Sequence, residues 1–416
     1  MGKIKALAYR ILRWSEKYTK TDMVYLAKKV AWPVLGQVVA SVSALILAIA
    51  FSRLVSKETF GTYKFVLSIP PIFGVLLLPG LGTSLTRAIA KGHEGDFNVV
   101  VKSKTRWAIL FWFVSLCISI YYWAHSNTLI GFSLLILSTG TVLNEIFGLY
   151  GAVLAGRALL KEGTLLYIAE RFFTLAIMLV IMFYSSNIII VIFGSLIAGV
   201  TINYLGFLIT KRSLLHNDVK GDGVLHYGRH LSFMTVISSA VGDLDNLIVF
   251  HFIGAPALAV YSYAQAIPEQ LKGPLSGLST LVFSKFAKHK GSDIKRDIYH
   301  KFKILFLSVV PLILIYWLAA PYIFKVLFPQ YLDAVFYSQI FSLSLVSFAF
   351  FPATTYLSAQ RKIKEQYIAN TLTAVFQLIT MLVFIIQWGL LGLIIARIIT
   401  RLFTSFVNVW LVYRSD

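Results

Sequence analysis

Nine ionisable side chains fall inside long apolar stretches of this chain, and they are its candidates for chemistry. Five are acids: Glu145, Glu170, Asp243, Asp245 and Glu269. Four are bases: Arg171, Lys272, Arg397 and Arg401. Lys64 lies nearer the end of its stretch, where a long stem lets the ammonium reach an interface. A charge facing lipid at the bilayer centre costs about 2.5–3.5 kcal/mol, so nine unpaired ones would cost about 20–30 kcal/mol. A typical fold is stable by only about 5–15 kcal/mol. The charges must therefore face one another or a wet cavity, which is what a transporter interior needs.

Their spacing adds detail. Arg397 and Arg401 are four apart, one turn apart on one helical face, and repel each other unless an anion lies near. Guanidinium forks suit phosphate oxygens. Glu269 and Lys272 are three apart and can pair along one helix. Asp243 and Asp245 are two apart and point to different sides; Asp243 has no cation near it in sequence, which suits it to ion coupling. Glu170 and Arg171 are adjacent in the inner third of their stretch. Gln37, Asn144, Asn203 and Gln377 are weaker polar markers. There is no phosphate-binding GxxxxGK[ST] loop, no HExxH, no GxSxG and no Cys/His cluster, so neither a cofactor nor a metal is expected and no residue reads as catalytic.

These residues sit on helices long enough to cross a membrane. The 416 residues are 58% hydrophobic and 13% charged, against about 25% charged in soluble proteins, and the mean hydropathy is +0.77. Cys117 is the single cysteine, which excludes an intrachain disulfide scaffold. A bilayer core needs roughly 20 apolar residues per helix. Twelve stretches meet that need: 30–52, 60–86, 105–124, 129–155, 164–184, 187–210, 229–252, 256–284, 303–323, 333–359, 366–387 and 389–413. Of the 38 Lys and Arg, thirty fall on the side of the two termini and three, Arg53, Lys57 and Lys325, on the other. That asymmetry places both termini in the cytoplasm and explains the net charge of +20 without nucleic acid. No cleavable signal peptide is expected.

The expected fold class is an all-α polytopic membrane protein of about twelve helices in two six-helix pseudo-symmetric bundles. Residues 1–29 form a basic amphipathic N-terminal segment, 30–210 the first bundle, 211–228 a cytoplasmic linker and 229–413 the second bundle. Within the N-terminal segment, residues 3–14 place Ile4, Leu7, Ala8, Ile11 and Leu12 on one face, which suits a helix lying on an anionic leaflet. Residues 60–70 align without gaps on 258–268, matching Tyr63 to Tyr261 and Pro70 to Pro268. Proline removes a backbone N–H and displaces the preceding turn. Pro70, Pro71 and Pro268 are therefore candidate bending points between outward and inward states.

Residues 53–92, with Phe60-Gly-x-Tyr63, Gly80-x-Gly82 and Thr86-Arg87-x-Ile89-Ala90, resemble the N-terminal signature of bacterial polysaccharide flippases of the Wzx type, in the MOP superfamily that also holds the MATE transporters. Residues 243–263, an acid followed by an apolar run, a turn and Tyr261-Ser-Tyr263, are similar to that family's seventh and eighth helices. The resemblance implies a MOP/MATE-like fold in a bacterial cytoplasmic membrane. It implies alternating access that moves an undecaprenyl-diphosphate-linked oligosaccharide, such as an O-antigen or other lipopolysaccharide or exopolysaccharide repeat unit, between leaflets, coupled to H⁺ or Na⁺. Membrane lipids and other polysaccharide assembly proteins are the partners it implies. The diphosphate would need interior cations, and Arg397, Arg401, Lys272, Arg171 and Lys64 are available. The acids Asp243, Asp245, Glu269, Glu145 and Glu170 are the candidates for ion coupling.

Two other readings compete. A cation-coupled multidrug or metabolite exporter of the MATE branch would use the interior acids. A membrane polysaccharide polymerase or ligase would carry a sizeable extracytoplasmic loop, whereas the longest such loop here lies near 324–332 and is short.

Overall fold

The structure, a computed structural model, describes residue 13 and residues 23–288, 293–360 and 362–414. Within them it leaves aside the side chains of 23–30, 234–241, 272–288, 293–301, 304, 358, 359 and 363. The amphipathic segment expected at 3–14 and the Lys272 side chain lie outside the described set.

The described residues are almost entirely helical, with no strand among them. The apolar stretches are too long and too uniformly hydrophobic for strands, and a helix satisfies its own backbone hydrogen bonds in a medium without water. Span 1 is Met23–Leu54, span 3 Asp96–Ala124, span 5 Leu160–Tyr184 and span 6 Ile188–Ser213. Spans 7, 8 and 9 are Val224–Phe252, Ala255–Lys288 and Asp293–Leu327. Ile363–Arg414 is broken at Gly389, whose φ of 56° and ψ of −133° suit glycine alone. Residues 363–388 are therefore span 11 and 390–414 span 12, as the sequence reading divides them.

Spans 2, 4 and 10 are interrupted rather than straight. Span 2 runs as Lys57–Ile72, a 3₁₀ turn at Gly74–Leu77, and Gly80–Ala90, bent by 59°. The bend follows directly on Pro70 and Pro71, and Leu78 takes a left-handed conformation with φ 46° to complete it. Span 4 is Thr128–Phe147 followed by Tyr150–Gly156. Span 10 is Ala334–Ser342, 3₁₀ turns at Leu343–Phe350 and Phe351–Ala359. Pro268 differs from its sequence counterpart Pro70: span 8 continues as helix through it to Lys288.

Span 2 packs on both spans 7 and 8, and so joins the earlier helices to the later ones. Its first helix crosses span 8 at Gly61, where an added Cβ would fall 1.8 Å from the Ala255 carbonyl oxygen. Its second helix packs on span 7. There a Cβ on Gly80 would fall 2.5 Å from the Gly228 oxygen, the Gly80 N–H donates to Ser232 Oγ at 3.0 Å, and Ser84 Oγ donates to the Val224 carbonyl at 2.6 Å. The 59° bend thus lies between two close contacts with the second set of helices.

At the end of the molecule away from the termini, an aromatic cluster fills the space between spans 1, 2, 8 and 9. Tyr263 and Tyr331 stack with ring centroids 3.8 Å apart, and Phe60 lies 5.0 Å from Tyr263. Phe324 and Phe328 are fully buried beside them. Polar contacts surround the cluster. Tyr263 Oη donates to the Ala48 carbonyl at 2.7 Å, Ser52 Oγ to the Leu327 carbonyl at 3.0 Å, and Arg53 Nη2 to the Val326 carbonyl at 2.6 Å. Lys57 Nζ meets Asp333 Oδ2 at 2.7 Å. The loops at this end are tight turns, with no domain among the described residues.

Candidate functional site

Helical rise places four functional side chains at one level. Lys64, Asp245, Tyr261 and Arg397 each lie about 10 Å along spans 2, 7, 8 and 12 from the helix ends remote from the termini, at 1.5 Å per residue. They meet. Tyr261 Oη donates to Asp245 Oδ2 at 2.6 Å, and Arg397 Nε lies 2.9 Å from the same oxygen. The Arg397 Nε–H is not aligned for a hydrogen bond, so that contact is an ion pair; its Nη2 donates instead to the Gly242 carbonyl at 2.9 Å. Asp245 is only 2% exposed. A buried carboxylate needs such partners to offset its lost hydration, and here a guanidinium and a phenol face it.

A second pair lies about 15–20 Å along the helices from the same ends. Arg401 Nη2 pairs with Glu269 Oε1, Nη1 donates to Ser344 Oγ at 2.8 Å, and the guanidinium lies 4.8 Å from the Phe341 ring centroid. The stacked arginines therefore do find anions, but both are carboxylates of the protein. The expected pairing of Glu269 along its own helix with Lys272 lies outside the described residues, and Glu269 takes a guanidinium from span 12. The sequence order hides this, because 132 residues separate the partners.

Asp243 stands half-buried beside Asp245, in the fields of Arg397 and Lys64. Asp243 has no cation near it in sequence, and both of these come from other spans. Lys64 does not reach out to an interface. It lies 5.6 Å from the Phe60 ring and lines a cavity of about 310 Å³ between spans 1, 2, 7 and 8, with Asn246, Gln265 and Glu269. Glu269 is 37% exposed and separates this cavity from Arg401. The described network holds three cations, Lys64, Arg397 and Arg401, and three anions, Asp243, Asp245 and Glu269.

The other candidates form a separate cluster on spans 3 to 6. Lys104 Nζ pairs with Glu145 Oε2 at 2.7 Å, with the lysine 4% and the acid 41% exposed. Asn203 Nδ2 donates to Asn144 Oδ1 at 2.9 Å. Glu170 lies close to Asn144 across Gly199, and Arg171 rests over the Tyr167 ring at 4.9 Å. Glu145 faces two voids, of about 370 and 620 Å³, that flank the span 2 bend and share it as a lining residue. Glu145, Glu170 and Arg171 thus do not join the Arg397 network. Lys104 was missed by the sequence reading, which starts span 3 at residue 105; the helix begins at Asp96 and carries Lys104 inward. Its neighbours Lys102 and Arg106 are exposed, and they gave the segment the look of a loop.

A third set of contacts escaped the sequence reading altogether. Glu94, between spans 2 and 3, accepts from the backbone N–H groups of His216 and Asn217, at 2.6 and 3.1 Å, and pairs with Arg157. The Gly95 N–H donates to the Val219 carbonyl at 2.9 Å, and the Gly221 N–H to Asp96 Oδ2 at 3.1 Å. Burial would raise the Glu94 carboxyl, but the two backbone N–H groups and Arg157 hold it below its usual value. Nothing in the local pattern of the sequence marks it. No group of three or more His, Cys, Asp or Glu among the described residues could hold a metal ion.

With this geometry in place, the class of protein follows. The helices superpose on a MATE-family multidrug-resistance transporter of the MOP superfamily in its inward-facing conformation. The TM-score is 0.70 at 14% identity, over 89% of this chain and 93% of that one. The outward-facing form of such a transporter gives 0.59 at 16% identity, over 91% and 94%. The lipid II flippase MurJ in an inward closed conformation gives 0.69 at 15% identity, over 92% and 87%. The fold is therefore that of the MOP superfamily, and the chain is a multi-pass membrane protein.

Residues 26–288 match the model of the polysaccharide biosynthesis protein family, and the chain belongs to that family. A comparison with curated protein sequences finds no match.

Proposed function

We propose that the chain is a flippase for a lipid-diphosphate-linked oligosaccharide, with both termini in the cytoplasm of a bacterial cell. O-antigen and other surface-polysaccharide repeat units are of this substrate class. One observation carries the reading: in a member of the polysaccharide biosynthesis family, half-buried guanidiniums on span 12 stand behind a partly exposed carboxylate, Glu269, at a polar cavity. Among the described residues the network is balanced in charge, so an arriving diphosphate would compete with a carboxylate for its guanidinium. Glu269 is the one placed for it, since it lies between the cavity and Arg401. A proton or metal cation taken up by Glu269 or Asp243 would release a guanidinium to the phosphate oxygens, which links ion uptake to substrate binding.

Residues 30–210 and 229–413 are the two halves in this reading, and the bend after Pro70 and Pro71 is the hinge. Pro268 contributes stiffness rather than bending. Closure by the aromatic cluster and the Lys57–Asp333 pair supports a state sealed at the end away from the termini. The better superposition on an inward-facing than on an outward-facing transporter supports the same state.

Interior acids also suit a cation-coupled exporter of the MATE type, and the two readings part on substrate charge. The tight turns opposite the termini leave a polymerase or ligase no place for an active site. Depletion of the protein in its host should cause lipid-linked oligosaccharide to accumulate and surface polymer to disappear. Unchanged polymer together with heightened sensitivity to cationic drugs would favour the exporter.

A further inference from the structure

Away from the charge network, a void of about 730 Å³ opens at the terminus end between span 3 and the linker leading into span 7. Its walls carry Lys102 and Arg106 from span 3, Lys220 from the linker and Arg229 from span 7, with Asp218 as the single acid among the lining residues. The four basic side chains are exposed. None of them makes an ion pair or hydrogen bond with the described residues, in contrast to Lys104 and Arg157 close by. Trp107, half-buried at the rim, is the kind of side chain that sits at headgroup level.

Span 3 extends this site in one direction. Lys102, Arg106, Ile109 and Phe113 recur at intervals of four, three and four, so they form one stripe along the helix. Ile109 and Phe113 are 64% and 57% exposed. The stripe is cationic where it meets the void and apolar where it runs into the membrane. A soluble phosphate would need only the first part. A molecule with an anionic head and acyl chains matches both.

We propose that this void binds the headgroup of an anionic phospholipid, with its acyl chains lying on Ile109 and Phe113. Basic recesses between membrane helices on the cytoplasmic side are suited to such headgroups. The site is built from both sides of the linker: Lys102 and Arg106 belong to the helices before it, and Arg229 to those after it. A bound headgroup therefore bridges elements that alternating access would have to separate, and the lipid composition of the membrane would bias the conformational equilibrium. The binding claim itself is independent of the transported substrate.

The test uses the full-length protein, purified and examined by native mass spectrometry and thermal unfolding with phosphatidylglycerol, phosphatidylcholine or inorganic phosphate added. The expected result is retained phosphatidylglycerol and a raised Tm, with neither effect from phosphatidylcholine. The triple variant Lys102→Gln, Arg106→Gln, Arg229→Gln should bind phosphatidylglycerol about a hundredfold more weakly, at about fivefold per basic residue near an anionic surface. All three side chains are exposed, so the variant should fold. The control Lys211→Gln, Arg212→Gln removes two exposed charges from the same end outside the void and should bind as the parent does. Equal loss in the control, equal binding of phosphatidylcholine, or full protection by inorganic phosphate would each overturn the assignment.

Discussion

Asp245 and Arg397 meet at 2.9 Å although 152 residues separate them, and the same carboxylate oxygen accepts from Tyr261. The contact ties span 7 to span 12 at the level of Lys64. Removing one partner of a buried ion pair leaves an uncompensated charge, at a cost of about 3–5 kcal/mol. Arg397→Gln should therefore lower the unfolding midpoint sharply. Adding Asp245→Asn should restore most of the stability without restoring polysaccharide export. Recovery of export in the double variant would reduce the pair to a structural role.

Glu269 should act as the exchangeable counter-ion of Arg401. Glu269→Gln frees the guanidinium permanently, so binding of a polyprenyl diphosphate should tighten and lose its dependence on pH, while net transport slows. Isothermal titration at pH 6 and pH 8 reads this directly. An unchanged pH dependence would move the coupling role to Asp243, where Asp243→Asn is the matching variant.

Lys57 and Asp333 are both partly exposed, and an exposed pair contributes about 0–1 kcal/mol. Lys57→Ala should therefore leave the Tm almost unchanged. Joining the two positions should be far more damaging. In a Cys117→Ser background, Lys57→Cys and Asp333→Cys joined by a short cleavable thiol cross-linker should halt transport, and cleavage should restore it. Undiminished transport after cross-linking would mean that this end does not open.

Gly61 leaves no room for a side chain beneath the Ala255 carbonyl. Gly61→Ala should force spans 2 and 8 apart at a cost of about 1–3 kcal/mol, seen as a lower Tm. Gly82, with open space around its would-be Cβ, should accept alanine with little change, and this contrast checks that the loss comes from the crossing.

Glu94 sets a pH dependence outside the membrane. Its carboxyl lies lower in the folded protein than in the unfolded chain, so its contribution is complete above about 4.5 and fades as pH falls through the lowered folded value. Thermal unfolding followed from pH 6 to pH 3 should steepen in the parent and flatten in Glu94→Gln. Identical slopes would remove Glu94 as a pH-sensitive clamp.

Length and hydropathy were enough to read an all-helical membrane chain: among the described residues eight helices, or nine with the bent span 2, are long and apolar enough to cross a bilayer, the run over spans 11 and 12 counting as one. The division near Gly389 was also read, as separate stretches at 366–387 and 389–413, and the structure breaks the helix at Gly389. The identity of the interior charges was legible for the same reason: a span cannot avoid what it contains. Their partners were not. Asp245 with Arg397, and Glu269 with Arg401, are chosen by how spans 7, 8 and 12 are arranged around one another, which no local spacing encodes. Lys104 was lost because an inward lysine and the outward Lys102 and Arg106 share one short polar stretch. Glu94 was lost because its partners are backbone N–H groups of a distant linker, which any sequence could supply. The matching prolines at Pro70 and Pro268 suggested equal bends, yet only the first is followed by a 3₁₀ turn and a left-handed residue that let the chain turn.

Transport through the charged chamber is tested most directly in proteoliposomes holding a fluorescent polyprenyl-diphosphate oligosaccharide in one leaflet. The rate at which an impermeant quencher gains access to the label is then measured. The flippase reading expects rapid exchange with the parent protein, and exchange at the protein-free rate with Arg401→Gln at equal reconstitution. Exchange at the protein-free rate with the parent itself, alongside active efflux of an organic cation from the same vesicles, would contradict it.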